Sequence, residues 1–247
     1  MEEHPMVTDC KNCPLRQHDL FQPMSKEEVE RTQKFKSGEL SVDAGTPILM
    51  EGSNAPQIYT ALRGMGLRYK IMPDGRRQVV NFIFPGDFIG LQAGLIGEMG
   101  HSVEASTHMK LCVFDRKDFF DFFRNSTSRA FDVTWLAASE EHFLGEALAT
   151  VGQRTALAGV AWALTQLFMR ADARNMVQND TMPLPFRQQD LADALGLSLV
   201  HTNKTLARLR ERQLANWSDR RLVIHDLEEL AKVAEMELND LRPRPLI

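Results

Sequence analysis

Two sets of residues in this sequence have the types and spacing to do chemistry. The first is cationic and amide-bearing. His201, Asn203, Lys204, Arg208, Arg210 and Arg212 fall on the outward side of a predicted helix, about Leu199 to Arg212, whose inner side takes Thr202, Thr205, Leu206 and Leu209. Hydrogen-bonding side chains on a short helix match the base edges and phosphates of the DNA major groove. The second set is sulfur. The chain holds three cysteines, Cys10 and Cys13 in C-x2-C spacing and Cys112 far from both. Thiolates bind soft metals and oxidise reversibly. C-x2-C alone is a weak signal. A lone cysteine in an apolar run such as Leu111-Cys112-Val113-Phe114, at the end of the last expected strand, also serves as a small buried hydrophobe. Paired carboxylates, a nucleophile elbow and a phosphate loop are missing, and the chain is predicted not to be an enzyme. A barrel enzyme would need a His/Glu metal cluster, whereas this region offers only His101 and His108.

The elements that must position the cationic helix are legible on both sides of it. Before it, Leu191, Ala192 and Leu195 share one face of a shorter helix. Gly196 suits the left-handed helix stop, and Ser198 suits the next N-cap. After it, Trp217-Ser218-Asp219-Arg220-Arg221 reads as a turn before the strand Leu222-Val223-Ile224, giving a wing with two arginines. The formal net charge is −4, but residues 187–224 carry seven Lys/Arg against four Asp/Glu. A locally positive reader on an acidic body confines contact with a polyanion to one face.

The rest of the chain changes texture twice. Ser25-Lys26-Glu27-Glu28 is a capping box that starts a helix to about Phe35. From Gly38 to Cys112, short β-branched and aromatic runs alternate with turn residues, and Pro73-Asp74-Gly75 marks a hairpin. That pattern predicts a β-sandwich or barrel. A Phe-rich helix (116–124) and a long helix (128–151) follow, with Gly152 read as an interruption and a further helix from Gln153 to Ala173. Phe131, Trp135, Ala138 and Leu144, with Phe143, make the stripe on the long helix wider than one neighbour needs, which predicts a homodimer seam. Residues 174–185 read as a loop. The expected domains are a Cys-containing leader (1–24), a β-rich sensor (25–127), the dimer helix (128–151) and the reader (152–247). No run reaches the length of a membrane span, and MEEHPMVTDC is too acidic for a secretory signal. A cytoplasmic protein with thiols rather than disulfides is expected.

In that order, these parts resemble the Crp/Fnr family of bacterial transcription regulators. The resemblance rests on Asp74-Gly75-Arg76-Arg77-Gln78-Val79-Val80, on Pro85-Gly86-Asp87-Phe88-Ile89-Gly90 and on Asp190-Leu191-Ala192-Asp193-Ala194-Leu195-Gly196-Leu197-Ser198. It implies an α+β fold: an N-terminal cyclic-nucleotide-binding-like β-roll, a long dimerisation helix and a C-terminal winged helix-turn-helix. It also implies a homodimer on an inverted-repeat operator, with RNA polymerase as a further partner and no membrane. Arg187, Ser198, Leu199, Val200, His201, Asn203, Lys204, Arg208 and Arg220 are the expected DNA-binding residues. Relatives carry a Glu, a Ser or Gly, and an Arg where this chain has Val200, Asn203 and Lys204, and they read bases with the Glu and the Arg, so their half-site does not transfer. Asn203 suits adenine, Lys204 suits guanine or a phosphate, and His201, Thr202 and Arg208 suit phosphates.

The resemblance also divides by signal. Cyclic-nucleotide members carry a Gly-Glu-Leu run and, further on, an Arg before Ser or Thr. This chain has Gly90-Leu91-Gln92 and His101-Ser102, and a buried phosphate without its cation is expensive. No cAMP is therefore expected. Fnr-type members hold a [4Fe–4S] cluster with leader cysteines and one on the last roll strand. The resemblance assigns Cys10, Cys13 and Cys112 to that set, with Asp19, or else His18, in the fourth place. Such a regulator responds to oxygen or redox state. A regulator without cofactor, a zinc site or thiol switch, and a ligand-binding roll with no DNA role are the alternatives.

Overall fold

The computed structural model describes residues 7–238 and 242–247; the first six residues of the acidic N-terminal segment lie outside them. The leader makes two 3-10 turns, Cys10–Asn12 and Pro14–Gln17, and then come α1 (Lys26–Phe35), β1 (Lys36–Val42), β2 (Pro47–Leu49), β3 (Gln57–Arg63), β4 (Gly66–Ile71), β5 (Arg77–Ile83), β6 (Phe88–Ile89), α2 (Leu91–Ile96), β7 (Ser102–Ala105), β8 (Met109–Asp115) and α3 (Arg116–Arg124). The helical half contains α4 (Thr127–Gln153), α5 (Ala156–Asp172), β9 (Thr181–Pro183), α6 (Gln188–Leu195), α7 (Leu199–Glu211), β10 (Ala215–Ser218), β11 (Arg221–Ile224) and α8 (Leu227–Val233). Of the described residues, those up to Gly66, Ile83–Ala138 and Pro243–Ile247 form one compact unit, and Leu67–Phe82 with Ser139–Arg242 form the second. The units therefore depart from linear boundaries: the β4–β5 hairpin groups with the reader, and the last five residues group with the sensor.

In the first unit, β8 is the spine. It pairs antiparallel with β1 on one side and β3 on the other, in a sheet ordered β1-β8-β3-β6. Side chains alternate along a strand. Met109, Leu111 and Val113 enter the core with Ile83, Ile89 and Val103, each stabilising by about 1.5–3 kcal/mol when fully buried. On the opposite face, Phe114 stacks on Phe35 of α1 at 4.7 Å. The capping box that starts α1 forms as its sequence dictates: Glu28 N–H donates to Ser25 Oγ at 3.2 Å, and Ser25 N–H donates to Glu28 Oε2 at 2.8 Å.

Three sequence expectations change. Gly152 does not end the long helix, which runs to Gln153; the break falls at Thr155, whose hydroxyl caps Ala158 N–H at 3.2 Å and starts α5. Residues 174–185 are not all loop, because β9 pairs with β11 as the third strand of the wing sheet. Cys112 does not end its strand. It is in the middle of β8, which pairs on through Phe114 and Asp115.

Candidate nucleic-acid interface and thiol site

The reader is assembled from local signals. Gly196 closes α6 at φ 66, and Ser198 Oγ accepts His201 N–H at 3.2 Å to start α7. Thr202, Thr205 and Leu209 are buried. Thr202 therefore turns inward, and its hydroxyl donates to Ser198 O at 3.1 Å, which removes it from the expected phosphate contacts. Val200, Asn203, Lys204 and Arg208 are exposed on the opposite face, with Ser198, Leu199 and His201 exposed at the helix start. Val200 is 65% exposed. An apolar side chain at the front of a reading face matches the methyl of thymine.

The wing is a two-residue hairpin. Asp219 and Arg220 occupy its tip at φ 49 and 59, the conformation that a tight antiparallel turn demands. A left-handed arginine is held there at a cost of about 1 kcal/mol, which leaves its side chain exposed beside Arg221. Arg187 is less available than its sequence position suggests. Its guanidinium bonds Asp190 at 2.9 Å, although the side chain is exposed.

Asp190 and Asp193, within the motif that marks the reader, have a second partner that sequence reasoning missed. Arg77 of the β4–β5 hairpin reaches both, pairing with Asp190 and meeting Asp193 at 2.9 Å. Gln78 Nε2 adds a bond to Ala194 O at 3.1 Å. Burial alone would raise the Asp190 carboxyl; Arg187 and Arg77 overcome it and hold it below its ordinary value. The same hairpin bonds Glu140 of α4 through Arg68 and Asn81, at 2.9 and 3.0 Å, and Arg170 of α5 donates to Asn81 at 2.9 Å. Three helices of the second unit thus meet one hairpin.

The expected dimer residues divide. Phe131 is 69% exposed, Ala138 is exposed and Trp135 is half-buried. Leu144 is off that line, about 140° from Phe131 round an ideal helix. With Leu148 and Val151 it lines an apolar cleft of about 300 Å³ within the second unit. Phe143 stacks on Trp162 at 6.0 Å and belongs to that unit's own packing.

The thiols are in the first unit. On β8, Cys112 stands opposite Glu39 of β1 and Thr60 of β3. The leader is fastened beside it by hydrogen bonds. Thr8 N–H donates to Glu39 Oε1 at 2.9 Å, Lys36 Nζ donates to Thr8 O at 2.6 Å, and Cys10 N–H donates to Gln33 Oε1 at 2.7 Å. Cys10 and Cys13 are half-buried and Cys112 is buried. Both leader thiols are close enough to act electrostatically on Cys112. Burial pushes the Cys112 thiol up to about 12, against the pull of the Lys36 ammonium, and burial raises Cys10 as well. The donor chemistry thus suits soft iron, but the donors are not closed into a set. Among the described residues no three His, Cys, Asp or Glu side chains form a ready metal-binding group. Asp19 is exposed in the turn after the second 3-10 segment, with His18 half-buried beside it.

Glu39 is the ionic pin of this face, at 2.7 Å from Lys36 and 2.6 Å from Lys110, with its side chain 6% exposed. Burial would raise its carboxyl; the bonds from Lys110, Lys36 and Thr8 bring it down to about 2. A depressed carboxyl stabilises the fold fully above its ordinary value of 4.5, and the contribution is lost as pH falls from there toward about 2. Glu39→Gln is expected to destabilise by about 3 kcal/mol at pH 7, because it strands two cations. Urea unfolding at pH 7 and pH 3 checks this: the gap between wild type and variant should shrink at pH 3, and an equal gap rules out the ionic role.

Among the described residues, no helix is long and apolar enough to cross a membrane. Residues 39–126 match the family described as cyclic nucleotide-binding domain, and residues 160–233 match the Crp-like helix-turn-helix domain. The transcriptional activatory protein AadR of Rhodopseudomonas palustris is 30% identical over 193 residues, 78% of this chain and 77% of the relative. The chain belongs to the Crp/Fnr family. The nitrogen fixation regulation protein FixK of Bradyrhizobium diazoefficiens is 28% identical, over 81% of this chain and 83% of its own. The structure of FixK2 from Bradyrhizobium japonicum shares the fold, with a TM-score of 0.71 at 23% identity, covering 81% of this chain and 98% of that one. This Crp/Fnr chain is thus a DNA-binding transcription regulator, with the roll, long helix and helix-turn-helix that its sequence resembles.

Proposed function

We propose that the protein acts as a homodimer on an inverted-repeat operator and responds to oxygen or redox state at its three thiols. The observation that carries the DNA reading is the exposed set Val200, Asn203, Lys204 and Arg208 on one face of α7, flanked by a wing that presents Arg220. Two such helices in a two-fold dimer enter successive major grooves about one helical turn apart. RNA polymerase is the further partner this reading implies.

For the signal, three thiols in one unit, with Cys10 and Cys13 within electrostatic reach of Cys112, support the sulfur reading over cyclic nucleotide. Next to Leu91 and His101, which stand where cyclic-nucleotide relatives carry the acid and the arginine, Gln92 Oε1 accepts Gly100 N–H at 2.9 Å and Ser102 Oγ accepts Glu51 N–H at 3.0 Å. Those side chains close the loop on itself. The group proposed at the thiols is an iron–sulfur cluster, with Asp19 or His18 as a fourth donor; bound there, it supplies oxygen-sensitive redox chemistry. The chain's own part is to present the thiols, to keep Cys112 dry and to place Lys36 where it favours an anionic site.

Selection of duplexes from a random pool tests the DNA reading. The selected site should be an inverted repeat, with affinity falling steeply as salt rises. Lys204→Ala should weaken that complex by about 1–3 kcal/mol if the lysine reads a base. Unchanged affinity removes Lys204 from the reading face, and a pool with no inverted repeat removes the proposed operator symmetry.

A further inference from the structure

Pro243–Ile247 follow the reader in sequence yet pack in the first unit. Arg244 forms a parallel bridge with Phe21: its N–H donates to Leu20 O at 2.8 Å, and its carbonyl accepts Gln22 N–H at 2.9 Å. Its guanidinium meets Asp87 at 2.6 Å. Arg129, near the start of α4, donates to Leu246 O at 2.9 Å, and the Thr60 hydroxyl donates to Ile247 O at 2.6 Å. Leu246 and Ile247 are 5% and 4% exposed. Five residues thereby join the leader, the roll and the dimer helix.

The sequence of this segment fits such a role. Each proline fixes its own φ and lacks an N–H, and the residue before a proline is held extended. Arg244, between Pro243 and Pro245, therefore supplies the one backbone donor of that stretch, and the donor is used on Leu20. A segment already extended loses little freedom on docking. The Leu-Ile pair behind it supplies apolar anchors. The receiving side is equally specific. Gly86, at φ 87, lies under the Phe21 ring, and a Cβ there would approach Phe21 Cζ to 2.1 Å.

The location gives the segment its meaning. Cross-strand partners share a sheet face. Cys112 has Glu39 on one side and Thr60 on the other. Glu39 is bonded to the leader at Thr8, and Thr60 is bonded to Ile247. The two neighbours of the thiol are thus each held by a hydrogen bond, one to the leader and the other to Ile247.

We propose that Pro243–Ile247 is a docked strap that seals Cys112 from solvent and ties the leader to the start of α4. Local opening of such a segment sets the access of reagents to what it covers. This proposal rests on neither the DNA reading nor the iron–sulfur cluster.

The test uses reduced full-length protein with Cys10→Ser and Cys13→Ser, so that Cys112 is the remaining thiol of the three. Its rate of labelling by a maleimide is compared with that of a chain ending at Arg242, and with Arg244→Ala and Thr60→Val in the full chain. Labelling is expected to rise at least about tenfold in the shortened chain and by less in the two substitutions. Hydrogen exchange at the Gln22 amide should quicken alongside it. Labelling at the full-length rate in a folded shortened chain overturns the proposal. If circular dichroism shows that the shortened chain is unfolded, unchanged labelling in Arg244→Ala overturns it instead.

Discussion

Replacing Phe131 with aspartate is expected to give a folded monomer that no longer holds an inverted-repeat duplex. The argument starts from exposure. Phe131 is 69% exposed in the single chain, so its ring adds little to the chain's own stability. A phenyl ring on a long helix is worth having only if a second surface covers it. Ala138, seven residues on, is exposed, and Gly145 and Gly152 continue the same heptad, each in open space where an added Cβ would meet nothing within 4 Å. Leu148, 74% exposed, flanks that line. A two-fold seam carries every substitution twice. Losing about 2 kcal/mol of apolar burial per copy weakens association about a thousandfold, and a charge in the seam adds to that. Trp135→Asp should also give monomers, but Trp135 is half-buried in its own chain, so that variant mixes dimer loss with fold damage. Sedimentation checks the prediction, with circular dichroism as the fold control. An intact dimer for Phe131→Asp moves the seam off this face of α4.

The reader is legible in the sequence because its signals are local. A glycine stop, a serine cap and a turn before a β-branched run each act within a few residues, and each is present in the fold. The parts that escape sequence reading depend on partners far along the chain. Residues 174–185 lack a strand pattern of their own, and β9 exists because β11 offers it a ladder. Gly152 lowers helix propensity by about 1 kcal/mol, yet a long helix carries it, and a capped Thr155 sets the break instead. The Arg77 clasp on Asp190 joins residues 113 apart, and charged residues at such separation give no periodic signal. Cys112 reads as a strand end because Asp115 follows it closely. In the fold, β8 continues because β3 pairs with it through Asp115. The leader, by its sequence, is too short and polar to hold itself. Thr8, Lys36, Glu39 and Gln33 show the means: two leader backbone donors are satisfied across to α1 and β1, and Lys36 of β1 donates back to Thr8 O.

Protein purified without oxygen is expected to carry iron and to show thiolate-to-iron absorption, and Cys112→Ala is expected to abolish both. The case is electrostatic as well as geometric. Cys112 is the one thiol rooted in a strand, so it fixes where any cluster can be. Burial keeps that thiol protonated up to about 12. Iron must therefore displace its proton, and the nearby Lys36 ammonium favours the anion that results. Because the leader is docked by hydrogen bonds, losing the cluster need not unfold it, and Cys112→Ala should remain folded. That separates a metal role from a packing role: a small apolar replacement at a buried site preserves packing but removes the ligand. Asp19 gives the finer test. A carboxylate holds iron less firmly than a thiolate, so Asp19→Cys should lengthen the lifetime of the absorption in air. If His18 is the fourth donor, His18→Ala shortens that lifetime and Asp19→Cys leaves it unchanged. If anaerobic, reconstituted protein binds no iron, the cluster is excluded, and half-buried Cys10 and buried Cys112, both raised by burial, then oxidise slowly because so little thiolate is present.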